Sequence, residues 1–264
     1  MGVVNVTPDS FSDGGRWIET EAAVEHGREL VAQGALVVDV GGESTRPGAE
    51  RPSTQEELRR VVPVVSALAS EGIVVSVDTM RVEVARAALQ AGAAIINDVS
   101  GGLADPQMPA LVAESGAPFV VMHWRGHSHD MQTRAVYGDV VAEVCAELRQ
   151  RAAALVTAGA DPEQLILDPG IGFAKTAAHN WELLSGLERV VDLGHPVLLG
   201  TSRKGFLGSV GRREGQERAL DARAVVTATT SARAARAGVW SVRVHDVVAT
   251  VDAIDVTAAM GELP

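Results

Sequence analysis

The 264-residue chain carries a formal net charge of −11, with 46% hydrophobic and only 3% aromatic residues. A surplus of acid repels phosphate backbones and anionic lipid surfaces, and no run of Lys or Arg reverses it locally, so neither nucleic acid nor a membrane is an expected partner. No apolar run is long enough to cross a bilayer, no basic-then-apolar leader opens the chain, and the single Cys145 can form no internal disulfide; a cytoplasmic protein with Cys145 as core packing is expected.

Short aliphatic runs, read as strands, fall at residues 3–5, 36–40, 73–77, 94–97, 119–122, 165–168, 197–200 and 241–244. The opening Met1-Gly-Val-Val-Asn5 already reads as the end of a strand, so the chain is expected to begin abruptly or to be trimmed. Between the runs lie helical patterns. Over residues 53–69, Ser53 and Glu56 suggest a capping box, Leu58, Val61, Val62, Val65 and Leu68 share one face, and Pro63 is expected to bend the helix. Over residues 139–158, Val141, Val144, Cys145, Leu148, Ala152 and Leu155 form one stripe. A core of Val, Ala, Leu and Ile suits a parallel sheet covered on both faces by helices. Eight strand-then-helix repeats without a low-complexity linker predict one α/β domain over residues 1–264, a (β/α)8 TIM barrel, with an open doubly wound sheet as the alternative.

Polar residues are distributed unevenly around these repeats. After the strands come Asn5-Val-Thr-Pro-Asp-Ser-Phe-Ser-Asp-Gly-Gly15, Gly41-Gly-Glu-Ser-Thr-Arg-Pro-Gly48, Asp78-Thr79, Asn97-Asp-Val-Ser-Gly-Gly102, His123-Trp-Arg125, Asp168-Pro-Gly-Ile-Gly-Phe173, Thr201-Ser-Arg-Lys204 and Arg243-Val-His245. The opposite turns, at residues 32–35, 70–72, 90–93 and 158–160, are plain glycine helix endings. Barrel enzymes build their sites from the segments after the strands, so the asymmetry points to an enzyme.

The wording of these segments, in this order and over nearly the whole chain, resembles the dihydropteroate synthases of bacterial type, a family of pterin-binding enzymes. Ala174 departs from the family pattern, which often has a second glycine there. The resemblance implies a Mg²⁺-dependent transferase of folate biosynthesis. It would join 6-hydroxymethyl-7,8-dihydropterin pyrophosphate to p-aminobenzoate, with pyrophosphate leaving before the amine attacks. It also implies a cytoplasmic homodimer and a target of sulfonamides, which mimic p-aminobenzoate.

The chemistry asked of each residue is consistent with that assignment. A pterin presents amide and amino donors beside ring-nitrogen and carbonyl acceptors, so its pocket needs buried carboxylates, an amide and a cation. By resemblance Asp168 takes the amino edge, Asn97 reads another part of the ring, Asp78 lies near the ring nitrogens and Lys204 donates to the carbonyl, with Met122, Phe173 and Gly200 completing the pocket. Arg243 and His245, after the last strand where barrel phosphate sites recur, would hold pyrophosphate, together with Asn5, the implied Mg²⁺ ligand. The p-aminobenzoate pocket would comprise Phe11, Thr45, Arg46, Pro47, Phe173, Ser202 and Lys204. Asp13 and Asp78 would steady the cation left on the pterin methylene, alongside Lys204, Arg243 and His245 as catalytic groups.

Alternative readings remain open at this stage. Each acid could simply cap the following helix. A methyltetrahydrofolate methyltransferase-like barrel would share Asp78, Asn97 and Asp168 but has no use for the cations Lys204, Arg243 and His245, and a non-catalytic pterin-binding paralogue would use the same pocket. His123, His127, His129 and Asp130 have metal-like spacing but sit in one loop, whereas zinc sites of barrels draw ligands from several strand ends, so a zinc hydrolase is disfavoured. His26, His179 and His195 are read as structural.

Overall fold

The structure is a computed structural model that describes residues 1–7, 16–43, 51–126, 131–212 and 216–264, excluding the side chains of residues 16–19 and 132. Among these, eight strands alternate with α-helices: β1 (Gly2–Asn5), α1 (Arg16–Ala32), β2 (Val38–Gly41), α2 (Thr54–Ser70), β3 (Val75–Asp78), α3 (Val82–Gln90), β4 (Ile95–Asp98), α4 (Met108–Ser115), β5 (Phe119–Met122), α5 (Val140–Thr157), β6 (Leu165–Asp168), α6 (Ala177–Ser185), α7 (Leu187–Val191), β7 (Leu198–Leu199), α8 (Ala224–Arg236), β8 (Ser241–Val242) and α9 (Val247–Ala259). The chain forms two compact units, one of Met1–Met122 with Gln150–Ile166 and the other of His123–Arg149 with Leu167–Pro264. No described helix is long and apolar enough to cross a membrane.

In the first unit β1 to β5 pair side by side and all parallel, in chain order. Val3, Val4, Val38, Val40, Val75, Val77 and Ile96 are almost wholly buried, as expected of β-branched residues on a sheet without a solvated face. β2 and β3 begin two residues later than the apolar pattern suggests. Leu36 is 86% exposed and Val74 44%, because the turns after α1 and α2 use these positions before the ladder starts. Gly92 in the next such turn has φ 106°, and a Cβ there would lie 2.7 Å from that of Ala69, so both backbone and space demand glycine.

Helix α2 realises half of the expected capping box. Ser53 accepts the Glu56 N–H at 3.2 Å, but the Glu56 carboxylate turns to Arg59 and Arg60 instead of back to the cap. The helix runs on through Pro63, and its buried face is Glu57, Val61, Val64, Val65 and Leu68, while Leu58 and Val62 are half-buried. Glu57 sits on that face because it has partners. The Thr79 hydroxyl donates to it at 2.6 Å, and Arg81 forms an ion pair with it. Arg81 also donates to the Pro52 carbonyl at 2.7 Å and approaches Glu43 at 3.5 Å, while Arg51 pairs with Glu43 at 2.7 Å. The described residues that flank segment 44–50 are thus tied to β3 and α2 through one buried carboxylate.

In the second unit β7 pairs parallel with β8, and Leu167 of β6 bridges Val197. Helix α6 starts with a capping box from Thr176 and His179, and α9 with Asp246 accepting the Ala249 N–H at 3.1 Å. The predicted stripe of α5 is buried throughout. Cys145 packs within it, its Sγ 3.5 Å from the Arg189 carbonyl, and burial pushes the thiol pKa up, the opposite of a nucleophile's environment.

Candidate active site

The register of the first unit brings several predicted residues into one row. Asn5 pairs with Gly41, Gly41 with Asp78, and Asp78 with Asn97. These residues lie at the C-terminal ends of their strands, and paired residues of a parallel ladder point to the same face. Gly41 makes room in the row: a Cβ there would stand 3.3 Å from that of Asp78. Asn97 is buried and donates through Nδ2 to Asp39 at 3.1 Å, fixing which way its amide faces. Asp98, next to it, is structural. Its buried carboxylate accepts from Ser100 N–H at 2.7 Å, Ser100 Oγ at 2.6 Å and Gly102 N–H at 3.0 Å, and burial pushes its pKa up to about 6. Met122 is buried at the end of β5.

The second unit gathers Asp168, Phe173, Lys204 and Arg243. Asp168 is buried at the end of β6. Burial raises its pKa, while Lys204, the Gly170 N–H at 2.7 Å, Lys175 and Arg243 act in the opposite direction. Lys204 is half-buried as a residue, but its ammonium is enclosed, donating to the Ile171 carbonyl and standing 4.7 Å from the Phe173 ring centroid. Burial lowers its pKa to about 8, with Asp168 acting to raise it and Arg243 to lower it further. Gly200 ends the strand region of β7 beside Arg243, and the Arg243 N–H donates to Leu199 O at 2.9 Å. The ring of His245 lies 3.0 Å from Ser202 Oγ through Nδ1, linking the segments after β7 and β8.

Behind Asp168 runs a polar chain that the sequence reading did not assign. The His123 N–H donates to the Asp168 carbonyl at 2.8 Å. Its imidazole is 2.9 Å from Glu147 through Nε2 and 3.0 Å from Lys175 Nζ through Nδ1. Glu147 pairs with Arg125, which stacks 3.9 Å from the Tyr137 ring centroid, and the Tyr137 hydroxyl donates to Ala174 O at 3.0 Å. Gly170, at φ 64°, lets the turn pass: a Cβ there would be 2.4 Å from the His123 carbonyl. Ala174, the departure from the family pattern, is itself left-handed at φ 48° and buried, so the backbone keeps the conformation a glycine would take. In the first unit, charged residues within apolar strands, Asp39 and Asp98, were the available signal for buried polar groups; the polar chain of the second unit had no such signal.

Burial lowers the His123 pKa from 6.5 to about 4, and its hydrogen bond with His123 leads Glu147 down to about 2. As pH falls below 6.5 the unfolded chain takes up this histidine's proton before the folded one does, so stability is lost between about pH 6.5 and pH 4. His123→Gln should remove that part of the slope, measured by urea unfolding at several pH values; an unchanged slope would show that His123 is not held neutral.

Phe11, Asp13, Thr45, Arg46 and Pro47 lie outside the described residues, as do His127, His129 and Asp130. Among the described residues no cluster of three or more His, Cys, Asp or Glu could hold a metal ion. The donor chemistry that fits Mg²⁺ is instead the half-buried Asn5 amide oxygen at the end of β1, one hard ligand that leaves other positions to phosphate and water.

The first unit thus carries an acid and an amide at its strand ends, and the second a buried carboxylate with an enclosed ammonium. The chain belongs to the pterin binding enzyme family, which it matches over residues 1–245. Within that family its relatives are dihydropteroate synthases. That of Mycobacterium leprae (strain TN) is 56% identical over 261 residues, 98% of this chain and 92% of the relative. The Xanthomonas albilineans enzyme with 4-aminobenzoic acid superposes with a TM-score of 0.91 at 46% identity, covering 100% of this chain and 93% of that one. The same enzyme in complex with 7,8-dihydropteroate gives 0.88 at 43%, covering 100% and 94%. The fold class is accordingly the α/β (β/α)8 TIM barrel.

Proposed function

We propose that this chain is an alkyl transferase of folate biosynthesis, condensing 6-hydroxymethyl-7,8-dihydropterin pyrophosphate with p-aminobenzoate to give 7,8-dihydropteroate and pyrophosphate. The observation that carries the reading is the buried Asp168 carboxylate with the enclosed Lys204 ammonium beside it, an acceptor and a donor of the kind a pterin edge demands. Full-length relatedness to dihydropteroate synthases supports it. A methyl transferase would not need the cations Lys204 and Arg243 near one carboxylate.

In this account Asp168 accepts from the amino edge, and Asn97, oriented by Asp39, reads a second part of the ring. Asp78 lies near the ring nitrogens, with Met122, Phe173 and Gly200 as apolar and backbone walls. Arg243, His245 and Asn5 hold the pyrophosphate. A Mg²⁺ ion held by Asn5 and phosphate oxygens would neutralise charge on the leaving group. Departure of pyrophosphate leaves positive charge on the pterin methylene, which Asp13 and Asp78 stabilise until the amine attacks. Phe11, Thr45, Arg46, Pro47, Phe173, Ser202 and Lys204 receive p-aminobenzoate, so sulfonamides compete there. The protein is cytoplasmic and works as a homodimer.

The test is to incubate the protein with both substrates and Mg²⁺ and quantify dihydropteroate and pyrophosphate. Equal amounts of both, abolished by EDTA and restored by Mg²⁺, are expected. Tight pterin binding without product would select the non-catalytic paralogue, and product formation indifferent to EDTA would remove the metal.

A further inference from the structure

Lys175 is a buried ionisable group to which none of the roles above is given. The residue is 3% exposed, and its Nζ lies 3.0 Å from His123 Nδ1, 3.0 Å from the Gly170 carbonyl and 3.1 Å from the Phe173 carbonyl. Three acceptors surround a group that, when protonated, has three hydrogens to give. His123 can serve as one of them because its other nitrogen donates to Glu147, which fixes the tautomer.

A buried amine without compensation would lose its proton. Burial does depress Lys175, to about 7, but Asp168 and Glu147 favour the cation, against Lys204 and Arg125. The charged groups facing it therefore come from the segment after β5 (Arg125), α5 (Glu147), the end of β6 (Asp168) and the segment after β7 (Lys204), with neutral His123 between. Asp168 has two lysines acting on it, and they differ. Lys204 is half-buried and bonded to a single carbonyl, whereas Lys175 is locked by three acceptors. If Lys204 leaves Ile171 to donate to a ligand, Lys175 stays where it is.

We propose that Lys175 is a positioning residue for pterin recognition: it pins the turn 168–175 through the Gly170 and Phe173 carbonyls and, with three acceptors around its Nζ to hold it as an ammonium, stands as a second cation behind Asp168 while Lys204 serves the ligand. This rests on the assignment of Asp168 to the pterin. A residue that merely filled space would affect stability, but not the titration of a neighbouring carboxylate.

The experiment uses the full-length chain with Lys175→Met, which keeps the bulk and removes the charge. Pterin pyrophosphate affinity is measured by calorimetry across pH, and KM is measured for both substrates. The KM for the pterin should rise by roughly 10- to 100-fold with that for p-aminobenzoate unchanged, and the acid limb of pterin binding should move up by about one pH unit or more, as expected when a carboxylate loses an opposite charge. An unmoved acid limb, or equal losses toward both substrates, would overturn the proposal. Should the variant not fold, the Lys175 ¹³Cε resonance of the wild type with pterin bound decides. An ammonium persisting to about pH 8 supports the proposal, and a neutral amine at about pH 7 overturns it. Wild-type protein that makes no dihydropteroate would defeat the functional reading instead, a result distinct from an active wild type with an unaffected variant.

Discussion

Lys204→Ala is expected to lower turnover about a hundredfold while leaving the fold intact. In the resting chain its ammonium donates to one backbone carbonyl and faces the Phe173 ring, interactions worth little to folding compared with the packing of β6 and β7. Its value lies in being an enclosed cation near Asp168 and Arg243, where removal of water strengthens every interaction with an incoming anion or carbonyl. Alanine leaves Asp168 with Lys175 and Arg243 as compensating charges, so the carboxylate is not stranded. Arginine should not restore the rate, because a planar fork cannot reproduce a point charge in the same space. Steady-state kinetics with circular dichroism of the variant would check this, and near-normal turnover would remove Lys204 from the reaction.

Arg81→Ala should destabilise the protein by roughly 3 to 5 kcal/mol, the cost typical of breaking a buried ion pair from one side. Glu57 is fully buried, and the Thr79 hydroxyl alone cannot replace the guanidinium that balances its charge. The double variant Glu57→Leu with Arg81→Met should recover most of the loss, since removing both charges leaves neither uncompensated. Urea denaturation of the three proteins measures the effect. A single variant as stable as wild type would mean that water reaches Glu57.

How much of this was legible in the sequence depends on the kind of interaction. Strand positions came from apolar runs; β2 and β3 start late where turns use Leu36 and Val74, and β7 and β8 are shortened to Leu198–Leu199 and Ser241–Val242. The site residues at strand ends stood out because polar groups cluster there, and resemblance gave each a role. Asp39, Lys175, His123 and Glu147 were harder to read. Asp39 meets Asn97 from 58 positions away, His123 meets Glu147 and Lys175 from 24 and 52 positions away, and no local pattern encodes such pairings. The helix α2 cap shows the same limit on a small scale: Ser53 was readable, but the choice of Glu56 for Arg59 and Arg60 over the cap was not.

The central claim is that a buried carboxylate at the end of β6 recognises a pterin by accepting its amino-edge hydrogens. Calorimetric titration of hydroxymethyl-dihydropterin pyrophosphate into wild type and Asp168→Asn tests it directly, because the amide is the same size but turns one acceptor into a donor facing donors. A loss of affinity of about a hundredfold or more is expected with unchanged thermal stability; equal affinity in the two proteins would contradict the account.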